Sequence, residues 1–190
     1  PNACNPGTCP TGCCLGGKCE LGGDVSACGG SGQTCRRCAS YELGQGQCCV
    51  VAPSSKWIVK LHKAKLDDTV TWDSLIGTDS RPDVYVKFNT GSYVWSSTIK
   101  ANTYAPLFNE QVIKDKATNT VAFTAQELTT GIHYEVWDDD GWLPHTKIIA
   151  CDTKFTSAQL SSGEATLTVC PTELQNTYVE QLVSNFSTAP

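Results

Sequence analysis

Apolar and polar residues alternate along most of the chain after about residue 55. The segment "KWIVKLHKAKL" places Trp57, Val59 and Leu61 on one face, which is the two-residue period of a half-buried strand. Further short runs are rich in β-branched and aromatic residues and are bounded by Gly, Asn, Asp or Pro: "PDVYVKFN", "YVWSSTIK", "VAFTAQEL", "IHYEVWD", "TKIIACDTKF" and "ATLTVC". About seven such strands predict an all-β fold, an antiparallel β-sandwich.

Helical periodicity is confined to two places near the end of the chain. "TSAQL" favours a short turn, and "TELQNTYVEQLVSNF" favours a terminal helix. In that helix Leu174, Tyr178, Leu182 and Phe186 would share one side. We therefore expect a β-sandwich over residues 56–173 and a C-terminal tail over residues 174–190 that holds a short helix.

The first 50 residues follow a different pattern, because ten of the 12 cysteines lie there among Gly, Ser and Thr. Such a segment buries little apolar surface and needs covalent cross-links to hold a shape. We predict a small disulfide-rich domain over residues 1–50 with up to five disulfides of open connectivity, followed by a Pro-Ser linker over residues 51–55. A zinc half-site at Cys35 and Cys38 is the alternative, although no second half-site of that form follows.

Charge and cysteine content restrict the partners and the compartment. The net charge is −5 with 14 Lys and Arg residues, so the concentrated basic surface that nucleic-acid binding needs is missing. The cysteines predict an oxidising compartment, hence a secreted protein or one at the cell surface. No apolar run of about 18 residues is present to cross a membrane.

Two cysteines, Cys151 and Cys170, lie outside the cysteine-rich segment, at the ends of "ACDTKF" and "LTVC". In an oxidising compartment we expect them to form a disulfide worth about 3 kcal/mol on the chain-entropy estimate. Two free buried thiols are the alternative.

A run of aspartates in "EVWDDDGWLPH" is the strongest sign of a binding site. "HYEVW" alternates as a strand, so the aspartates begin the loop that leaves it, and Asp138 and Asp140 point to one side. Two converging carboxylates suit a hard divalent cation, and calcium accepts six to eight oxygen ligands in irregular geometry. The loop "LDDTVTWDSLIGTDSRPDVYVKF" could supply the rest, through Asp83 and one or two of Asp73 and Asp79. Alternatively, the aspartates are only solvated turn residues.

Three motifs in the same order resemble C2 domains, the calcium-dependent lipid-binding β-sandwiches. "PDVYVKF" is similar to the family's Ser-Asp-Pro-Tyr-Val-Lys-Val stretch, "STIKANTYAPLFNE" to its Thr-rich strand followed by Asn-Pro-x-Trp-Asn-Glu, and "YEVWDDDGWLPHTKIIA" to its Val-x-Asp-x-Asp loop. The resemblance covers about residues 56–170, and the placing of Cys151 and Cys170 is similar to perforin-type secreted C2 domains. The N-terminal segment resembles small Cys-Gly modules of secreted or surface proteins of myxobacteria.

This resemblance implies a ligand set. Asp83 matches the second ligand of the first loop, and Asp138 and Asp140 match two ligands of the third loop. Asp73 or Asp79 would be the first ligand, with Asp73 favoured. The family's fifth carboxylate falls near Thr146, so one of two calcium sites would be weakened or lost.

The resemblance also implies a function: calcium-dependent docking on phospholipid membranes from outside the cell. Calcium would reverse the charge of the loops, and Trp72, Trp142 and Leu143 could insert at the interface. In the alternative, the cysteine-rich domain binds a protein or glycan and the sandwich is a platform. An enzyme is not expected, since the three histidines are scattered and no hydrolase motif occurs.

Overall fold

The chain divides into two compact units, Pro1–Ser55 and Lys56–Pro190. The structure, a computed structural model, describes residues 4–46, 48–71, 81–91, 93–141, 144–167 and 179–189. Among these residues, no helix is long and apolar enough to span a membrane. The predicted fold class, an all-β antiparallel sandwich with a disulfide-rich N-terminal domain, is confirmed.

The described part of the first unit contains three short antiparallel hairpins and is cross-linked by disulfides. Its strands are β1 Cys13–Leu15, β2 Lys18–Glu20, β3 Gly23–Asp24, β4 Ala27–Cys28, β5 Glu42–Gln45 and β6 Cys48–Val51. They pair as β1 with β2, β3 with β4 and β5 with β6. The disulfides are Cys4–Cys14, Cys9–Cys19, Cys13–Cys35 and Cys38–Cys49.

The disulfide pattern settles the number of cross-links and the zinc alternative. Four disulfides form among the described cysteines of this unit, which lies within the predicted limit of five, and Cys28 and Cys48 carry free thiols. The zinc half-site at Cys35 and Cys38 is wrong, because each of the two sulfurs is bonded to another cysteine. A thiol oxidised to a disulfide is no longer a thiolate ligand.

Glycine makes the close backbone approaches of this unit possible. Gly16 and Gly17 turn the β1–β2 hairpin with φ of +58° and +81°, as a two-residue hairpin turn requires. At Gly22 a Cβ atom would lie 1.8 Å from the carbonyl oxygen of Gly29. The unit thus replaces a large apolar core with disulfides and direct backbone contact.

Two antiparallel sheets make up the described part of the second unit. Its elements are β7 Lys56–Leu66, β8 Val84–Asn89, β9 Val94–Ser96, β10 Leu107–Gln111, β11 Ala122–Thr124, α1 Ala125–Thr130, β12 Ile132–Asp138, β13 Thr146–Thr153, α2 Ser157–Ser162, β14 Glu164–Leu167 and β15 Val179–Thr188. One sheet has the order β10-β7-β15-β14, with β11 also paired to β7, and the other has the order β13-β12-β8-β9.

The longest strand, β7, confirms the alternation of the sequence and also departs from it. Trp57, Val59 and Leu61 are buried, but the next buried residues are Ala64 and Leu66, so the inward face changes by one residue. The register with both neighbouring strands shifts in the same region, as a β-bulge does. The largest fully buried side chains include Tyr134, Phe88, Phe155, Leu128 and Leu160.

The C-terminal helix is the clearest wrong prediction. Residues 179–188 form β15, which lies between β7 and β14 in the sheet. Ser184 and Phe186 are buried while Ser187 and Thr188 are exposed, and the ring centroid of Phe186 lies 4.8 Å from that of Phe155. Leu182 and Phe186 are four residues apart, a spacing that places them on one face of a helix and also on one face of a strand. Pairing with β7 favours the strand.

The segment "VAFTAQEL" is only partly a strand. β11 ends at Thr124, whose side chain accepts a hydrogen bond from the backbone of Glu127, while Glu127 accepts one from the backbone of Thr124. This capping box starts α1. The predicted turn at "TSAQL" is α2, which has the same kind of cap between Thr156 and Gln159.

Candidate functional site

Two neighbouring strands bring the aspartates together at one end of the second unit. β8 and β12 are antiparallel, and Asp138, the last residue of β12, pairs with Val84, the first residue of β8. Asp83 therefore lies beside Asp138 and Asp139, and the backbone N–H of Asp139 donates to the carbonyl of Asp83 at 2.9 Å. The structure thus places Asp83, Asp138 and Asp140 at the same end, as expected from the sequence.

Each of these carboxylates has one oxygen held by a protein donor. The N–H of Asp83 donates to Oδ1 of Asp138 at 2.7 Å, and the N–H of Asn102 donates to Oδ1 of Asp83 at 2.6 Å. The hydroxyl of Thr146 donates to Oδ2 of Asp140 at 2.9 Å. These bonds fix the carboxylates before any ion binds, which lowers the entropic cost of binding.

Asp138 differs from its neighbours because its side chain is buried, with 1% of its surface exposed. It belongs to the inward-facing row of β12, which also contains Ile132, Tyr134 and Val136. A buried carboxylate requires hydrogen bonds or a cation to offset its lost hydration. Its bond from Asp83 also joins two loops that are 55 residues apart in the chain.

Thr146 occupies the position where the resemblance expects a fifth carboxylate. It opens β13 and pairs with Asp138, and its hydroxyl holds Asp140. A hydroxyl carries no charge, so this position contributes less to cation affinity than an aspartate would.

Asp139 is committed to local contacts on its own side of the loop. Its Oδ1 accepts the N–H of Gly141 at 3.0 Å and lies 3.4 Å from Nε2 of His145. The other ring nitrogen of His145 is 3.0 Å from the hydroxyl of Tyr85. Burial, together with the negative charges of Asp139 and Glu135, raises the pKa of Tyr85. Asp139 therefore supports the loop, and Asp138 and Asp140 are the better candidates for ligands.

Several predicted site residues lie outside the described part of the chain. These are Asp73 and Asp79 as ligands, Trp72, Trp142 and Leu143 as membrane contacts, and Cys170 as the partner of Cys151. Cys151 itself is buried and disulfide-bonded. Within the described residues, three ligand atoms within 4.8 Å of one another are found among cysteine sulfurs and not among the aspartates. A complete calcium shell thus needs further oxygen atoms.

One feature beside the aspartates was missed in the sequence. Nζ of Lys87 lies 4.1 Å from the ring centroid of Trp137, and Nζ of Lys147 lies 5.0 Å from it. Tyr85 stacks on the same indole with ring centroids 6.3 Å apart. The alternation along β8 indicates that Tyr85 and Lys87 share one face. It does not indicate that Trp137 lies opposite Tyr85, because that pairing depends on the register between β8 and β12.

Glu135 neutralises part of this basic and aromatic surface. Its carboxylate accepts hydrogen bonds from Nζ of Lys147 at 2.6 Å and from the indole N–H of Trp137 at 2.8 Å. Burial opposes ionisation of Glu135, but these bonds outweigh it and lower the pKa of the carboxyl. Trp137 is consequently held within the sheet, as expected for a tryptophan in a strand.

A cavity of about 900 Å³ lies at the other end of the strands, where β8 ends and β12 begins. Within its lining Lys114 pairs with Glu127, His133 contacts Asp152, and Lys154 lies beside them. This mixture of charges indicates no class of ligand.

Comparisons with known proteins find C2 domains among similar structures. A C2 domain of plant extended synaptotagmin 1 is 15% identical with a TM-score of 0.47, covering 73% of this chain and 98% of that one. A structure described only as that of a C2 domain is 14% identical with a TM-score of 0.43, covering 70% and 99%. Human GIVD cytosolic phospholipase A2 is 12% identical with a TM-score of 0.46, covering 69% of this chain but only 16% of the enzyme.

No protein-family model matches the sequence, and no curated protein matches it. Similarity to solved structures at such low identity says nothing about activity.

Proposed function

We propose that the second unit binds calcium at the aspartate end and uses the ion to dock on phospholipid membranes. The observation that supports this proposal is the arrangement of Asp83, Asp138 and Asp140, which three backbone or hydroxyl donors hold at the meeting point of β8, β12 and β13. Three carboxylates at one end of the fold repel one another, and a divalent cation bound by them would relieve that repulsion.

The donor set fits calcium better than other ions. All candidate ligands are oxygen atoms, which hard cations prefer, whereas zinc prefers His or Cys. The two loops differ in length in the sequence, and calcium tolerates irregular shells that magnesium does not. Asp73 or Asp79 would complete the shell from the first loop. With Thr146 in place of a carboxylate, we expect one strong site rather than two.

The bound ion would change the charge of this surface. Without it the clustered carboxylates repel lipid phosphates, and calcium supplies positive charge and coordination positions that phosphate oxygens can fill. Trp142, Leu143 and Trp72 would then be the side chains that enter the interface, where tryptophan is favoured. This mode of action is binding without catalysis. The disulfides of the first unit are consistent with an extracellular location.

Calorimetric titration of the full chain with calcium is the test of the ion site. The variant Asp140→Asn should weaken or abolish binding, because it removes one negative ligand without a change of size. Asp152→Asn is the matched control, since that carboxylate is exposed and lies on the same strand, β13, away from the aspartate end. Wild-type protein that takes up no calcium would refute the proposal.

Co-sedimentation with vesicles containing phosphatidylserine tests the docking step separately. We expect sedimentation in calcium, release by a chelator, and loss of sedimentation in Asp140→Asn but not in Asp152→Asn. Calcium binding without sedimentation would show that the ion only stabilises the loops.

A second candidate function, recognition of a protein partner by the first unit, rests on its exposed apolar side chains. Four of its large apolar side chains are exposed, namely Leu15, Leu21, Val25 and Leu43, and Leu21 is 91% exposed. The charge of Arg36 in this unit is offset by Glu42, with which it forms a two-pronged ion pair. Attachment to cells in chelator that is lost in Leu21→Asp and kept in Asp140→Asn would favour this function over membrane docking.

A further inference from the structure

A free thiol lies beside a disulfide inside the first unit. Cys28 is buried, with 2% of its surface exposed, and its sulfur lies within 4.8 Å of the sulfurs of both Cys38 and Cys49. Those two cysteines are bonded to each other, and Cys28 is unpaired. A second free thiol, Cys48, is exposed and directly precedes Cys49.

Backbone hydrogen bonds hold the segment of Cys28 beside the segment of Cys38. Cys28 and Arg36 form an antiparallel bridge through two hydrogen bonds of 2.7 Å, and the N–H of Cys38 donates to the carbonyl of Val25 at 2.8 Å. The segments that carry Cys28 and Cys38 are therefore neighbours, so a bond between these two sulfurs would join adjacent stretches of chain.

We propose that Cys28, Cys38 and Cys49 form a thiol–disulfide exchange site. The Cys28 thiolate attacks Sγ of Cys38, the Cys38–Cys49 bond breaks, and its electron pair goes to the sulfur of Cys49, which takes up the proton that Cys28 gave up. One disulfide replaces another and the number of thiols is unchanged, so no oxidant is consumed.

The exchange moves a thiol from the interior to the surface. Cys28 is buried, whereas Cys49 is half-buried and adjacent to the exposed Cys48. The free thiol therefore becomes more accessible to solvent when it passes from Cys28 to Cys49. The product carries two vicinal thiols, Cys48 and Cys49, and this pair is a site for thiophilic ligands such as trivalent arsenicals.

Tryptic mapping of the full chain without reduction distinguishes the two pairings. Trypsin cleaves after Lys18, Arg36, Arg37 and Lys56. Before exchange, the Cys38–Cys49 bond lies within peptide 38–56, which is released. After exchange, the Cys28–Cys38 bond ties that peptide to peptide 19–36. Thiols are blocked with N-ethylmaleimide in acidic denaturant before digestion.

We expect peptide 38–56 to be free in protein kept at low pH and linked after incubation at pH 8, with two thiols blocked in both samples. Cys28→Ser should abolish the linked form. Cys48→Ser should keep it but lose capture by phenylarsine oxide, which needs two neighbouring thiols. The proposal would be overturned if peptide 38–56 stayed free at pH 8. It would also be overturned if the linked peptide contained no blocked thiol, because that result would show a direct Cys28–Cys48 bond.

Discussion

Asp138 shows how far single residues of the site can be predicted. Alternation along "HYEVWD" places this aspartate at the end of a strand, and the run of carboxylates indicates a cation. Its contact with the N–H of Asp83, by contrast, joins residues 55 positions apart. No local pattern contains that contact, because it depends on the register between β8 and β12.

Thr146 offers a gain-of-function test of the calcium site. Thr146→Asp adds a carboxylate opposite Asp138, and we expect calcium affinity to rise about tenfold, because affinity follows the number of charged ligands. Thr146→Val is the matched control, since it keeps the shape and removes only the hydroxyl bond to Asp140. Equal affinities for Thr146→Asp and wild type in a calorimetric titration would place the ion elsewhere.

We expect the stability of the second unit to depend on pH through the buried Tyr134. Burial raises its pKa from 10.0 to about 12, so the folded state disfavours the phenolate. The contribution of this residue to the free energy of unfolding is complete below pH 10, where the phenol is neutral in both states. It is lost as the pH rises towards 12, and the loss is about 3 kcal/mol because the two pKa values differ by about two units.

Urea unfolding between pH 9 and pH 12, on protein with its thiols blocked, measures this effect. We expect the unfolding midpoint to fall across the window in the wild type and to fall less steeply in Tyr134→Phe. Parallel curves for the two proteins would contradict the assignment to Tyr134.

At the scale of elements, capping motifs mark both short helices in the sequence, although the segment of α1 was predicted as part of a strand, and no local motif marks the last strand. The patterns Thr-x-x-Glu and Thr-x-x-Gln before α1 and α2 contain the capping boxes. The strand conformation of β15 depends on its neighbours instead, because antiparallel pairing with β7 satisfies backbone hydrogen-bonding groups of both strands. Tertiary pairing of this kind overrides local propensity.

Phe186 tests the position of β15. Because its ring is buried against Phe155, Phe186→Ala should reduce the free energy of unfolding by about 3 kcal/mol. Ser187→Ala, at the next and exposed residue, is the control and should change it little. A helical tail outside the sandwich would give both variants the stability of the wild type in chemical denaturation.

The cap of α1 gives a smaller prediction. Thr124→Ala removes the hydroxyl that accepts the N–H of Glu127 at 3.1 Å, and we expect a loss of about 1 kcal/mol. Burial alone would raise the pKa of Glu127, but its bonds to Lys114 and Thr124 outweigh this and lower it. Thr124→Ser, which keeps the hydroxyl, should retain most of the stability measured by urea titration.

The whole molecule joins two units that are stabilised in different ways. The first relies on disulfides, and the second has a buried core of aromatic and aliphatic side chains. We expect a reductant such as TCEP to unfold the first unit while the β-sheet circular dichroism and the Trp57 and Trp95 fluorescence of the second persist. Simultaneous loss of both signals on reduction would show that the second unit depends on the first.

The pairing of β7 with β15 also bears on how the protein is made. β7 opens the second unit, yet its partner β15 lies more than a hundred residues later in the chain. While the ribosome is still synthesising the intervening residues, Trp57, Val59 and Leu61 have no completed sheet to cover them. We therefore expect this unit to fold after its last strand has left the ribosome, and to need protection from aggregation until then.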